Sequence, residues 1–166
     1  MNKPRYIIAV DPDIYLSGFA VIDTIEKKVV DACTLSLFKL IEKCGAWAST
    51  TGDYIVLVEA SWNTTRTHRI GYNDNKAVAA KRGYAVGMNH MRGKDIVEGL
   101  KHYGIKHEEV PPLRKCWKGK EGKITHEEII SVMKKNGIAY NSGRTNQEVR
   151  DSLLICLIYG NLLWRI

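Results

Sequence analysis

Asp11 closes the apolar run "IIAVD" and Glu59 closes "IVLVE". Both runs are apolar at successive positions, the pattern of strands covered on both faces in a helix-flanked sheet. If the two strands are parallel neighbours, their C-terminal ends lie about 4.8 Å apart and the two acids share one sheet edge. Two ionised carboxylates that close repel, unless a cation sits between them or one takes up a proton. Hard oxygen ligands in a partly open site suit magnesium or manganese. The plainer alternative is that each acid simply ends its strand in solvent.

Glu148 and Asp151 extend the pattern. Their spacing puts both on one face of the first turn of a strongly apolar last helix. A helix N-terminus also favours negative charge. Thr145 and Glu148 have the spacing of a capping box, so Glu148 has a structural alternative that Asp151 lacks. Four acids from two strand ends and a helix start form the layout of two-metal phosphoryl transfer. One metal activates the attacking water and the other stabilises the leaving oxygen.

The elements that must position these acids are legible in outline. "RYIIAV", "GFAVID" and "KVVDACTL" read as strands whose short connections favour an antiparallel meander. "LFKLIEKCGAWA" has helical spacing, and "YIVLVE" is the second buried strand. After the polar loop "SWNTTRTHRIGYN" a helical stretch runs from about Asp74 to His102, with a break near Gly93. "IKHEEV" reads as a fifth strand, stopped by Pro111 and Pro112. "THEEIISVMKKNG" opens on a capping box at Thr125 and Glu128 and closes on Gly137. "NQEVRDSLLICLIYGNLLW" is the last helix. The order predicts an α/β fold, one mixed sheet with helices on its faces.

The 166 residues suit a single domain, 1–166, with a real core. No apolar stretch approaches the length of a bilayer span, and the N-terminus lacks the long apolar segment of a signal peptide, so the protein is expected in the cytoplasm. Cys33, Cys44, Cys116 and Cys156 show no paired spacing and read as reduced thiols rather than a zinc site. The net charge of +7 points to an anionic partner, nucleic acid first. Metal-bound acids within a basic protein fit a phosphate-bearing substrate.

Taken together, "IIAVDPDIYLSGFAVID", "YIVLVEASW" and "EVRDSLLICLIYG" resemble the three acidic motifs of RuvC-type Holliday-junction resolvases, in the ribonuclease H-like superfamily. The resemblance covers almost the whole chain, including element order. It implies a five-stranded mixed sheet, three antiparallel strands then two parallel. It also implies Mg2+- or Mn2+-dependent hydrolysis of four-way DNA junctions, with Asp11, Glu59, Glu148 and Asp151 as the catalytic carboxylates and metal ligands. Trp62 falls where the family carries an aromatic that stacks at the junction centre, and a tryptophan in that loop offers a face for an unpaired base. The alternative is that Trp62 packs back onto the fold. The family's helix after the fourth strand forms a homodimer interface. Here Ala80, Gly83 and Gly87 give that helix a small-residue stripe, which could equally pack on its own sheet. A dimer suits two symmetric cuts.

Phosphate contacts are expected from Arg66, His68, Arg69, Lys76, Lys81 and Arg82, and from Arg114, Lys115, Lys118, Lys120 and Lys123. "GKEGK" lacks the glycine spacing of a P-loop. The family's basic residue before the penultimate helix corresponds to His126 or Lys123, and the sequence does not choose between them. Where the family usually has Gly, this chain has Asp13, a third nearby acid. The compact, divergent sequence looks more like a phage or prophage version than a housekeeping one. Rival readings keep the chemistry but change the substrate to forks, flaps or RNA. More distant ones are a nucleotide-binding domain, which would need a second domain and no Glu148 or Asp151, and a non-catalytic binding module.

Overall fold

The computed structural model describes residues 3–64 and 75–163. In chain order the elements are β1 (Tyr6–Asp11), β2 (Ser17–Asp23), β3 (Lys28–Leu35), α1 (Leu37–Thr50), β4 (Tyr54–Glu59), α2 (Lys76–His102), β5 (His107–Val110), α3 (His126–Lys135) and α4 (Gln147–Tyr159). Single 3-10 turns at Ser61–Asn63 and Lys120–Gly122 follow β4 and precede α3. The five strands form one sheet in the order β3-β2-β1-β4-β5. β1, β2 and β3 pair antiparallel, while β4 runs parallel to β1 and β5 parallel to β4. Short connections confine the first three strands to hairpins, and α1 supplies the crossover that parallel pairing needs. The mixed sheet expected from the sequence is the one present.

Strand periodicity sorts the core into two layers. Ile7, Ala9, Ala20, Ile22, Ile55 and Leu57 face one side, where α3 and α4 contribute Ile129, Val132, Met133, Val149 and Leu153. Ile8, Val10, Phe19, Val21, Val56 and Val58 face the other, under Leu40 and Cys44 of α1 and Ile96, Val97 and Leu100 of α2. Burial on both faces explains why β1 and β4 read as unbroken apolar runs. Among the described residues no helix is long and apolar enough to cross a membrane.

Three local expectations need correction. α2 continues unbroken through Gly93, because that glycine is buried and its missing side chain leaves room for Trp62. A mid-helix glycine costs about 1 kcal/mol against alanine, and here packing offsets it. The capping box proposed at Thr145 does not form: α4 is capped by Asn146, whose side chain accepts the Val149 N–H at 3.0 Å. The small-residue stripe does not pack on the sheet either. Ala80, Gly83 and Gly87 are exposed, and a Cβ at Gly83 or Gly87 would meet nothing within 4 Å. The capping box at Thr125 and Glu128 is present as read, and Gly137 ends that segment in the left-handed region at φ 71°.

Candidate active site

Side-chain parity decides where the strand-end acids point. Asp11 continues the series Ile7, Ala9, and Glu59 continues Ile55, Leu57, so both face the α4 side of the sheet. Val10 pairs with Val58 in the parallel ladder, which sets Asp11 and Glu59 abreast at one edge. Opposite Asp11 in the β1–β2 ladder is Gly18. The first turn of α4 rests on it: a Cβ at Gly18 would lie 2.1 Å from the Glu148 carbonyl oxygen and 2.3 Å from Ser152 Oγ. The absent side chain lets α4 bring Glu148 and Asp151 down beside the strand ends.

The four acids act on one another. Burial, then Glu59, Asp151 and Glu148, push the Asp11 carboxyl well above the ordinary aspartate range, with Lys123 pulling the other way. Glu59 is also raised, by burial and by Asp151, although the Leu113 N–H donates to its Oε2 at 3.2 Å and Lys123 and Lys115 favour its charge. Burial raises Asp151 against the help of Lys123 and Gln147, whose Nε2 donates to Oδ1 at 2.8 Å. As the side chains stand, no three acids, histidines or cysteines among the described residues are grouped tightly enough to hold a metal ion. Glu59 and Asp151 are instead engaged with Leu113, Gln147 and Lys123. In donor chemistry the set fits a hard divalent cation: all oxygen and partly buried, four carboxylates set against Lys123 and Lys115.

The two basic candidates have different neighbours. Lys123 Nζ lies 3.6 Å from Asp151 Oδ2. His126 turns away, its Nδ1 2.9 Å from Thr145 Oγ1 and accepting the Thr145 N–H at 3.3 Å. Arg114, Lys115, Lys118 and Lys120 are exposed on the segment that leads to Lys123. Lys76, Lys81 and Arg82 are exposed on the first turns of α2. Arg66, His68 and Arg69 lie outside the described residues.

No family model and no curated protein matches the sequence. Among solved structures, the RuvC protein of T. thermophilus in complex with a Holliday junction substrate matches 92% of this chain and 90% of its own, at 15% identity and a TM-score of 0.50. This chain has the RuvC fold. A second structure, Thermus thermophilus RuvC, matches 95% of this chain and 98% of its own at 13% identity and a TM-score of 0.49.

Within that RuvC fold, Trp62 is turned back against α2. A Cβ on Gly93 would stand 2.1 Å from its Cζ3, and the half-buried indole packs on the α1–α2 side of the core. The packing alternative raised for Trp62 is the arrangement present. Asp13, the departure from the family's glycine, spends its Oδ1 on the Tyr15 N–H at 3.0 Å. Three further contributors were not legible in the sequence. Arg150 donates to the carbonyls of Ile124 and Thr145 and to Gln147 Oε1, tying the Lys123 loop to the start of α4. The Leu113 backbone N–H and the Gln147 side chain hold Glu59 and Asp151. A glutamine four residues before an acid on one helix is the only signal, and it is a common one.

Proposed function

We propose that the chain is a divalent-metal-dependent endonuclease for branched DNA, with the four-way junction as its substrate. The supporting observation is the convergence of Asp11, Glu59 and the first turn of α4 at one edge of the sheet, with a carboxylate charge that the surrounding protein leaves unbalanced. The RuvC fold, shared with a protein solved on a Holliday junction, makes that edge the natural place for DNA. Asp11, Glu59, Glu148 and Asp151 would hold Mg2+ or Mn2+. Bound there, the ions supply an activated water and stabilise the leaving oxygen of a phosphodiester.

The chain's own residues do the rest. Gly18 fixes how closely α4 approaches the strands, and Gln147 and Leu113 aim Asp151 and Glu59. Lys123 is the cation placed to meet the scissile phosphate, in preference to His126. Exposed Lys118, Lys76, Lys81 and Arg82 carry the flanking backbone, with Arg66 and Arg69 just ahead of α2 in sequence. Trp62, three residues beyond Glu59 in sequence, keeps its ring packed against α2. The exposed stripe of Ala80, Gly83 and Gly87 is the surface for a second copy, which two symmetric cuts require. Four free cysteines suit the reducing cytoplasm.

The test is cleavage of four-way, fork, flap and linear DNA with and without magnesium. Paired cuts in the junction that need the metal are the expected result. Activity that persists in EDTA overturns the metal mechanism, and equal cutting of fork or flap reassigns the substrate.

A further inference from the structure

We infer that Tyr15, at the tip of the β1–β2 turn, stacks on a base left unpaired at the branch point; this rests on the nuclease reading above. Tyr15 is 80% exposed and its neighbour Leu16 is 48% exposed, in a turn that joins β1, buried along its middle, to the fully buried β2. An exposed tyrosine alone is ordinary. What sets this one apart is how firmly its turn is held.

The Ile14 peptide is bonded at both ends to α2: its N–H donates to Asn89 Oδ1 at 3.1 Å, and its carbonyl accepts from Arg92 Nη2 at 2.8 Å. Asp13 Oδ1 accepts the Tyr15 N–H, while Ser17 Oγ accepts the Asp13 N–H at 3.1 Å and donates to its carbonyl at 3.3 Å. The backbone under the ring is therefore fixed while the ring itself is free. A preorganised aromatic loses little conformational entropy when it stacks.

Position supplies the second argument. Tyr15 is four residues beyond Asp11, so its Cα lies no more than about 14 Å from that of the acid. Along a strand at roughly 3.4 Å per step, that is about four nucleotides or fewer from the cut. Trp62, which follows β4, has its ring against Gly93. Tyr15 presents the flat face that a displaced base needs, and the Arg92 guanidinium beneath the turn adds positive charge.

The experiment uses a synthetic four-way junction carrying 2-aminopurine beside the branch point, with magnesium present and Asp11→Asn as parent to prevent cutting. Tyr15→Ala is expected to weaken junction binding by about 5- to 150-fold and to remove the stacking-dependent fluorescence change. Tyr15→Phe should stay within about threefold of the parent, and Tyr15→Leu, which keeps bulk without a π-face, should fall with Ala. Circular dichroism checks that each variant folds; the exposed position gives them no reason not to. Unchanged junction affinity in a folded Tyr15→Ala, or recovery by Leu equal to that by Phe, overturns the inference while the nuclease reading stands. A wild-type chain that neither prefers the junction nor cuts it overturns both.

Discussion

The two ends of the β1–β2 hairpin each hold an aspartate, Asp23 across from Tyr6 and Asp11 across from Gly18. Asp23 is buried, and burial works against its charge. The N–H groups of Glu26 and Ile25 and the Arg5 guanidinium outweigh that, at 2.9 to 3.1 Å, and hold its carboxyl below the ordinary range. At the other end burial also opposes Asp11, and the next influences are the like charges of Glu59 and Asp151, which outweigh Lys123, with Glu148 adding to them. One fold thus treats two similar residues in opposite ways. A charge the architecture needs is paired within the architecture, whereas the charge at Asp11 is left among like charges at a sheet edge, the contrast on which the proposed metal site rests.

Substitution should break the comparison most visibly. Asp11→Asn is expected to reduce cleavage to background while junction binding stays or tightens, with stability unchanged or raised because an uncompensated charge is gone. Asp23→Asn should do the reverse, losing about 1–3 kcal/mol of stability with cleavage per folded molecule intact. Urea denaturation and junction-cutting rates on the two variants read both effects. If Asp11→Asn still cuts, the distinction between the two ends fails.

Metal should sharpen it next. Magnesium or manganese is expected to stabilise the wild-type chain, by about 2.7 kcal/mol at one hundred times the dissociation constant. Asp23→Asn should keep that gain and Asp11→Asn should lose it. Thermal melts with and without EDTA measure this without any DNA.

The pH response is the smallest expected effect and has opposite signs at the two ends. Asp11, Glu59 and Asp151 are raised in the fold, so their contribution is fully present below the unfolded values near 4 and is lost as pH rises through the higher folded values. Metal-free protein should therefore lose stability on going from acid toward neutral pH at this end. Asp23 is lowered, so its contribution is present above about 3.9 and disappears as pH falls through its folded value. Stability measured against pH in EDTA should show a shallower first slope in Asp11→Asn, with the shares of Glu59 and Asp151 remaining, and should lose the acid limb in Asp23→Asn.

The acid edge was legible because it is written in strand grammar. Unbroken apolar runs identified β1 and β4, and the apolar last helix had to land on their core. What escaped the sequence depends on atoms that meet only after folding. Gly93 read as a helix break, since nothing local says that Trp62 will occupy the space above it. Thr145 and Glu148 had capping spacing, but Asn146 is one residue closer to the first turn and takes the cap, leaving Thr145 for His126. His126 and Lys123 were indistinguishable as basic residues near α3, and only folding brings Lys123 beside Asp151 and His126 beside Thr145. Arg150, Gln147 and the Leu113 N–H are unremarkable in type, and their contribution is purely one of place.

The parallel pairing of β1 with β4 has a consequence in time. The three-stranded meander is built from near neighbours in the chain, whereas β1 and β4 meet only after the loop containing β2, β3 and α1 has closed. Such non-local contacts form slowly, because loop-closure entropy must be spent before they return anything. The first turn of α4 then has to settle on Gly18, a partner from near the opposite end of the sequence. Half-folded chains therefore hold their acids apart, and the proposed site is assembled only when the longest-range contacts close.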